Sequence, residues 1–153
     1  MNIFEREAME RDEFLQLQGI LSAWVSFKTV VLQLIESYKA CTLDGQRYGA
    51  QIDEPNERCI VITCRRGASP KAPLNSLIIG IRAEMVSQDK FAIDCQIEQW
   101  HKAPVAGTAP HPERKKRMIF LLDGDYTSLI YANEKFTPAQ AAEKLLETLL
   151  NRK

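Results

Sequence analysis

Between Leu17 and Tyr38 the apolar positions fall at Leu17, Ile20, Trp24, Phe27, Val31, Leu34 and Tyr38. The steps are three and four throughout, so all seven lie on one face of an α-helix. Leu21, Val25, Leu32 and Ile35 widen that stripe, and no proline interrupts the chain from about Phe4 to Lys39. The first sixteen residues are only loosely periodic. From Met1 to Glu13 five acidic residues outweigh Arg6 and Arg11, giving a net charge of −3. A continuous helix of this extent would be about 54 Å long, against a diameter of about 40 Å for a compact domain of this size. Either the helix breaks, with Gly19 the natural place, or residues 1–16 project or fray and meet a partner.

Farther along, the period changes. Residues 41–57 form a turn-rich connector (Asp44-Gly45, Gly49, Pro55-Asn56) with room for a short strand near Tyr48–Ile52. Arg58–Arg65 is short and β-branched. Ser76–Val86 and Lys90–Trp100 alternate with period two, the latter placing Phe91, Ile93, Cys95 and Ile97 against Asp94, Gln96 and Glu98. Such alternation marks one buried and one wet face, as in antiparallel sheets. Met118–Asp123 and Thr127–Ala132 complete a five-strand set, with a hairpin turn at Asp123-Gly124-Asp125, where Asp-Gly suits positive φ. Residues 101–115, with three prolines, read as a long mobile loop. The last helix is well marked: Thr137 as N-cap, Pro138 at the first helical position, Gln140 completing a capping box, and a stripe of Ala142, Leu145, Leu146, Leu149 and Leu150.

The pattern predicts a single α+β domain over 1–153. A long N-terminal helix, a five-stranded, mainly antiparallel sheet and a C-terminal helix follow one another, with both helices on one sheet face. The element order is similar to that of some secretion-chaperone-like domains, a likeness of order alone without a shared motif.

Composition alters this picture little. The 153 residues are 45% hydrophobic and 26% charged, which suits a folded globular chain. Twenty basic residues balance twenty acidic ones, so no global field steers the chain to nucleic acid or a membrane surface. The charged N-terminus does not read as a secretory signal. In the apolar window Leu17–Ile35, Lys28 lies near the centre, where a charge costs about 2.5–3.5 kcal/mol in a bilayer. The expectation is a cytoplasmic protein without a membrane span.

Candidate chemistry is sparse. Cys41, Cys59, Cys64 and Cys95 show no metal-ligand spacing and read as reduced structural thiols, Cys59 and Cys64 facing opposite sides of a strand. His101 and His111 flank the long loop without a partner that declares a triad. Asp94 and Glu98 lie about 13 Å apart along one strand, too far for a paired acid–base device, though Arg82 and Glu84 could join them across the sheet. Asp123-Gly124-Asp125 lacks the remaining ligands of a calcium loop. No GxGxxG, GxxxxGK[ST] or GxSxG motif occurs. No catalytic residue, metal or cofactor is expected.

The leading expectation is a non-enzymatic protein-interaction domain, an adaptor or chaperone-like module, homodimeric or bound to a protein partner. It rests on the overlong first helix and the uncovered sheet face. One alternative is a small-molecule site, or a cryptic enzyme, in a pocket between sheet and helices lined by Trp24, Phe27, Tyr38 and Trp100. Val31 belongs to the same stripe. Another alternative is nucleic-acid binding by Arg114, Lys115, Lys116 and Arg117, although no aromatic residues interleave to stack bases.

Overall fold

The computed structural model describes residues 1–66, 77–101 and 114–150. Helix α1 runs unbroken from Ile3 to Cys41. Its start is set by Asn2: the side-chain oxygen accepts from the Glu5 amide at 2.9 Å, and the Glu5 carboxylate accepts from the Asn2 amide at 3.3 Å, a closed capping box. Its end is set by Thr42, whose hydroxyl donates to the Tyr38 carbonyl at 2.7 Å and accepts from the Gly45 amide at 2.9 Å. One side chain thus stops α1 and starts the short helix α2, Leu43–Tyr48. Gly49, at φ +66°, turns the chain out of α2 into the sheet.

Among the described residues seven strands follow: β1 Ala50–Asn56, β2 Cys59–Arg66, β3 Leu77–Val86, β4 Ala92–His101, β5 Arg114–Leu122, β6 Leu129–Tyr131 and β7 Glu134–Phe136. They form one antiparallel meander in sequence order. Helix α3, Pro138–Leu150, closes the described chain. The antiparallel sheet between terminal helices is as expected, but it holds seven strands rather than five. The connector yields β1, a full edge strand made inconspicuous by Asp53, Glu54 and Pro55. Such residues are what protects an edge from pairing with another chain. The seventh strand exists because Ala132 and Asn133, at φ 51° and 63°, make a two-residue turn after β6. At the preceding turn the positive φ falls on Tyr126, at 62°, and not on Gly124.

Both long helices cover one face of the sheet. On that face Ile60, Ile62 and Cys64 of β2, Ile79, Ile81 and Ala83 of β3, Ile93, Cys95 and Ile97 of β4, and Met118 and Phe120 of β5 are buried. The register stacks Ile62, Ile81 and Ile97 side by side, with Ala83, Cys95 and Met118 one step along. From α1 the stripe Ile20, Trp24, Phe27, Val31, Ile35 and Tyr38 enters this layer. The polar tips of its two amphipathic aromatics find backbone of the β1–β2 turn and of β2: Trp24 Nε1 donates to the Glu57 carbonyl at 2.8 Å, and the Tyr38 hydroxyl to that of Arg65 at 3.0 Å. By length and composition α1 could cross a membrane; here its apolar stripe packs on the sheet.

Of the two outcomes the length allowed, the break at Gly19 does not occur. The glycine has a different cause. A Cβ there would lie 2.3 Å from the Tyr126 carbonyl oxygen, so the missing side chain lets the β5–β6 turn press against the helix. The mismatch between helix and domain is met by projection instead: residues 1–15 are all exposed. At about 58 Å, α1 overshoots the domain, held on the way out by a hydrogen bond from the Tyr126 hydroxyl to Asp12.

Candidate interaction surface

Two apolar stripes run along α1. The first is the core stripe. The second follows exposed Phe14, Leu21 and Val25 and ends at Leu32, which is partly buried against the core; it lies roughly 110° around the helix from the first. Spacings of seven and four keep these residues on one line, the repeat of a helix–helix seam. Val25 is 60% exposed although it sits over the middle of the sheet, and Phe4 is 75% exposed at the tip of the arm. Phe14 and Leu21 are exposed as well, and Leu32 is half-buried. Between them stand Glu7, Arg11, Gln18, Lys28 and Glu36, charged or polar and mixed in sign. Lys28 leans sideways to Glu54 at 3.8 Å.

At the far end of α1 lies a groove of about 640 Å³ between α1, α2 and α3. Leu34, Tyr38, Leu43 and Leu146 give it an apolar floor and lip, and Glu143 and Glu147 stand on its rim. Leu43 is 80% exposed. No single stretch of sequence carries this groove. Its walls come from three elements, and the only local hint is a lone leucine in a turn-rich connector.

The expected site residues separate into three places. Trp24, Phe27, Val31 and Tyr38 are buried between α1 and the sheet, Trp24 and Phe27 stacked at 6.0 Å and Phe27 tilted on Phe120 at 6.2 Å. Trp100 lies on the other face of the sheet, its ring over Gly80, where a Cβ would come within 2.9 Å of it. The four aromatics named for one pocket therefore do not line a common space. On that far face Val61, Thr63, Gly80 and Trp100 frame a shallow depression of about 210 Å³.

The basic run lies in β5, which starts at Arg114 rather than Met118. A strand sends successive side chains to opposite faces. Lys116, paired with Ile97, and Arg114, paired with Gln99, are on the helix-covered face, whereas Lys115 and Arg117, paired with Glu98 and Gln96, are on the far face. Arg117 is already engaged: its Nε and Nη2 hold the two Asp94 oxygens at 2.9 and 2.6 Å. That fork holds the Asp94 carboxyl below its ordinary range. The far face also bears Arg82, Glu84 and Glu98, so no single sign of charge prevails on it.

The folded pKa of Asp94 is depressed, so the coupling between Arg117 and Asp94 is present above the unfolded carboxyl pKa of about 4 and is lost as pH falls through the folded value. A double-mutant cycle of Arg117→Ala and Asp94→Asn, read by urea unfolding, is expected to show coupling at neutral pH that shrinks as the pH is lowered into the acid range. Coupling that did not fall as the pH was lowered would contradict the pairing.

Other titratable groups are similarly occupied. Lys135 Nζ bridges Asp123 at 3.2 Å and Asp125 at 2.9 Å, and Asp125 also accepts from the Thr127 and Ser128 amides. These bonds tie the β5–β6 turn to β7. Among the described residues no group of histidine, cysteine and carboxylate side chains could hold a metal ion. His111 and residues 102–113 of the expected loop lie outside the described residues. Cys59 and Cys64 stand on opposite sides of β2, as their odd spacing requires, and both are buried with Cys95. Burial pushes the Cys64 thiol up to about 11 and raises Cys95 and Cys59 too. Cys41, at the groove, is exposed. Iodoacetamide is therefore expected to modify the native monomer at Cys41 alone and the other three only in denaturant, as peptide mass mapping would read.

Comparison with family models, with curated proteins and with solved structures finds no match to this chain.

Proposed function

We propose that this protein is a non-enzymatic interaction domain, adaptor- or chaperone-like, that associates with a second copy of itself through α1. The observation that carries the reading is the line Phe14, Leu21 and Val25, exposed on α1 beside the stripe that the core uses, with partly buried Leu32 at its end. A helix needs one apolar stripe to pack on a sheet, and further large apolar residues left exposed beside it mark a surface for another protein. The reading places the protein in the cytoplasm, where its thiols stay reduced.

Sedimentation velocity across a concentration series tests it. The wild type is expected to be dimeric. Leu21→Glu with Val25→Glu is expected to weaken association by roughly thirtyfold or more, the effect of losing a 2 kcal/mol hot spot, with an unchanged circular dichroism spectrum. A wild type that stays monomeric throughout would sink the proposal.

The groove beside Tyr38 supports a second reading, binding of a small apolar ligand, since its volume lies in the range of about 300–1,000 Å³ usual for such sites. Leu146→Trp, which fills the groove, would abolish binding of an apolar fluorescent probe if that reading holds.

A further inference from the structure

We infer that the groove between α1, α2 and α3 takes a hydrophobic amine, a small molecule with an apolar body and a cationic head. The inference rests on the small-ligand reading of that groove and adds to it the charge of the ligand and the place of its head.

The body is set by the walls. Leu34, Tyr38 and Cys41 follow one another at steps of four and three along α1, so they share the flank of that helix that turns toward α3. Leu146 of α3 and Leu43 of α2 close the other two sides. Leu146 is a buried floor, whereas Leu43 is the most exposed large hydrophobic residue described. Leu43 is no frayed end. It follows Thr42, whose hydroxyl is bonded into both α1 and α2, so the fold holds a leucine in water at the mouth of an apolar groove. A ligand that covers it removes apolar surface from water without first having to order the lip.

The head is set by a one-sided charge. Asp44, Glu143 and Glu147 line the groove, and among the described residues no lysine or arginine does. Glu143 and Glu147 are one helical turn apart on α3, about 6 Å from each other along one rim. Both are exposed, and neither forms an ion pair among the described residues. Asp44 lies deeper and is the one buried charged side chain described. The neutral polar groups have little left to give. The Tyr38 hydroxyl donates to the Arg65 carbonyl, and the Thr42 hydroxyl both donates and accepts within its own turn, which leaves the Ser37 hydroxyl as the one neutral donor on the walls. Carboxylates accept hydrogen bonds and donate none. They match an ammonium head and repel a carboxylate or phosphate head. Each exposed carboxylate favours the cation by a few-fold and disfavours the anion about as much, so the two on the rim separate such heads by roughly thirtyfold.

Three probes with the same ten-carbon body and different heads test this on the full chain. Decylamine, decanol and decanoate are each titrated by calorimetry at neutral pH and low salt, below their micellar range. Decylammonium is expected to bind roughly thirtyfold more tightly than decanoate, with decanol between them, and to shield Cys41 from iodoacetamide. In Glu143→Gln with Glu147→Gln, which leaves the apolar walls untouched, that separation is expected to shrink to about threefold. Equal binding of the three probes, or a preference for decanoate, overturns the cationic head while leaving an apolar site. So does a preference for the amine that survives both glutamines. Binding that leaves Cys41 reactive places the ligand elsewhere and ends the inference, and no binding by any probe ends the small-ligand reading with it. Cys41 also reports the charge without a ligand. It is expected to react roughly tenfold faster with a trimethylammonium-bearing methanethiosulfonate than with a sulfonate-bearing one, each rate being divided by that of the same cysteine in denaturant. A ratio near one would show that the carboxylates do not govern the groove.

Discussion

Replacing Phe27 by alanine is expected to lower the unfolding free energy by about 3–5 kcal/mol, the cost of deleting a fully enclosed aromatic ring. Phe27 has no exposed surface. It stacks on Trp24 along α1 and meets Phe120 of β5 across the layer. Phe120 in turn contacts Tyr131 at 5.2 Å and Phe136 edge-on at 6.2 Å. The ring therefore joins α1 to a cluster that includes the last three strands. Two of these, β6 and β7, have only three residues each and depend on that cluster for their place. Small domains hold about 5–15 kcal/mol in total, so Phe27→Ala should bring the chain close to unfolding. Urea denaturation followed by circular dichroism measures this. A loss below 1 kcal/mol would mean that α1 is not seated on the sheet as described.

For Gly19 the sign of the effect is the test. In a solvent-exposed helix, glycine to alanine stabilises by about 1 kcal/mol. Here the added methyl would lie 2.3 Å from a backbone carbonyl, a contact that backbone atoms relieve only by moving the whole β5–β6 turn. That turn is held by Asp125 to the Thr127 and Ser128 amides, by Lys135, and by the bond from Tyr126 to Asp12. Overpacking of this kind costs about 1–3 kcal/mol. Gly19→Ala is expected to destabilise, and Gly19→Val to do so more strongly, each measured by thermal and urea unfolding. Any gain in stability for Gly19→Ala would show that the turn stands clear of the helix. Either outcome bears on the interaction proposal, because the same turn steadies the arm where it leaves the domain.

Features resting on contacts within a few residues were legible in the chain. The final helix begins where its capping box says, with the Gln140 amide donating to Thr137 Oγ1 at 3.1 Å and the Thr137 amide to Gln140 Oε1 at 3.0 Å. The alternation along β4 assigned its buried face correctly, since a strand's period does not depend on its neighbours. Of β1 only a possible short stretch near Tyr48–Ile52 was legible, because an edge strand with one flank in water needs little apolar character. β7 escaped because three residues carry no period.

At Gly19 the local rule left two readings open. A glycine in a helix has two meanings, a break or a close approach, and only the position of a turn more than 100 residues away separates them. The basic run shows the same limit. Four consecutive charges form one patch in a loop but two opposed pairs in a strand, and the difference is whether β5 begins at Arg114 or at Met118.

By itself, then, the sequence determined the element types, the caps of α3 and the stripe that α1 buries, all set by local backbone preference and periodicity. It also marked α1 as too long for its domain. Only the tertiary structure decided that the excess projects rather than folds back, that a second stripe remains in water after the first is buried, and that three elements leave a groove at the other end of the helix. Those facts depend on which surfaces other parts of the chain reach, and that is a property of packing between residues far apart in sequence.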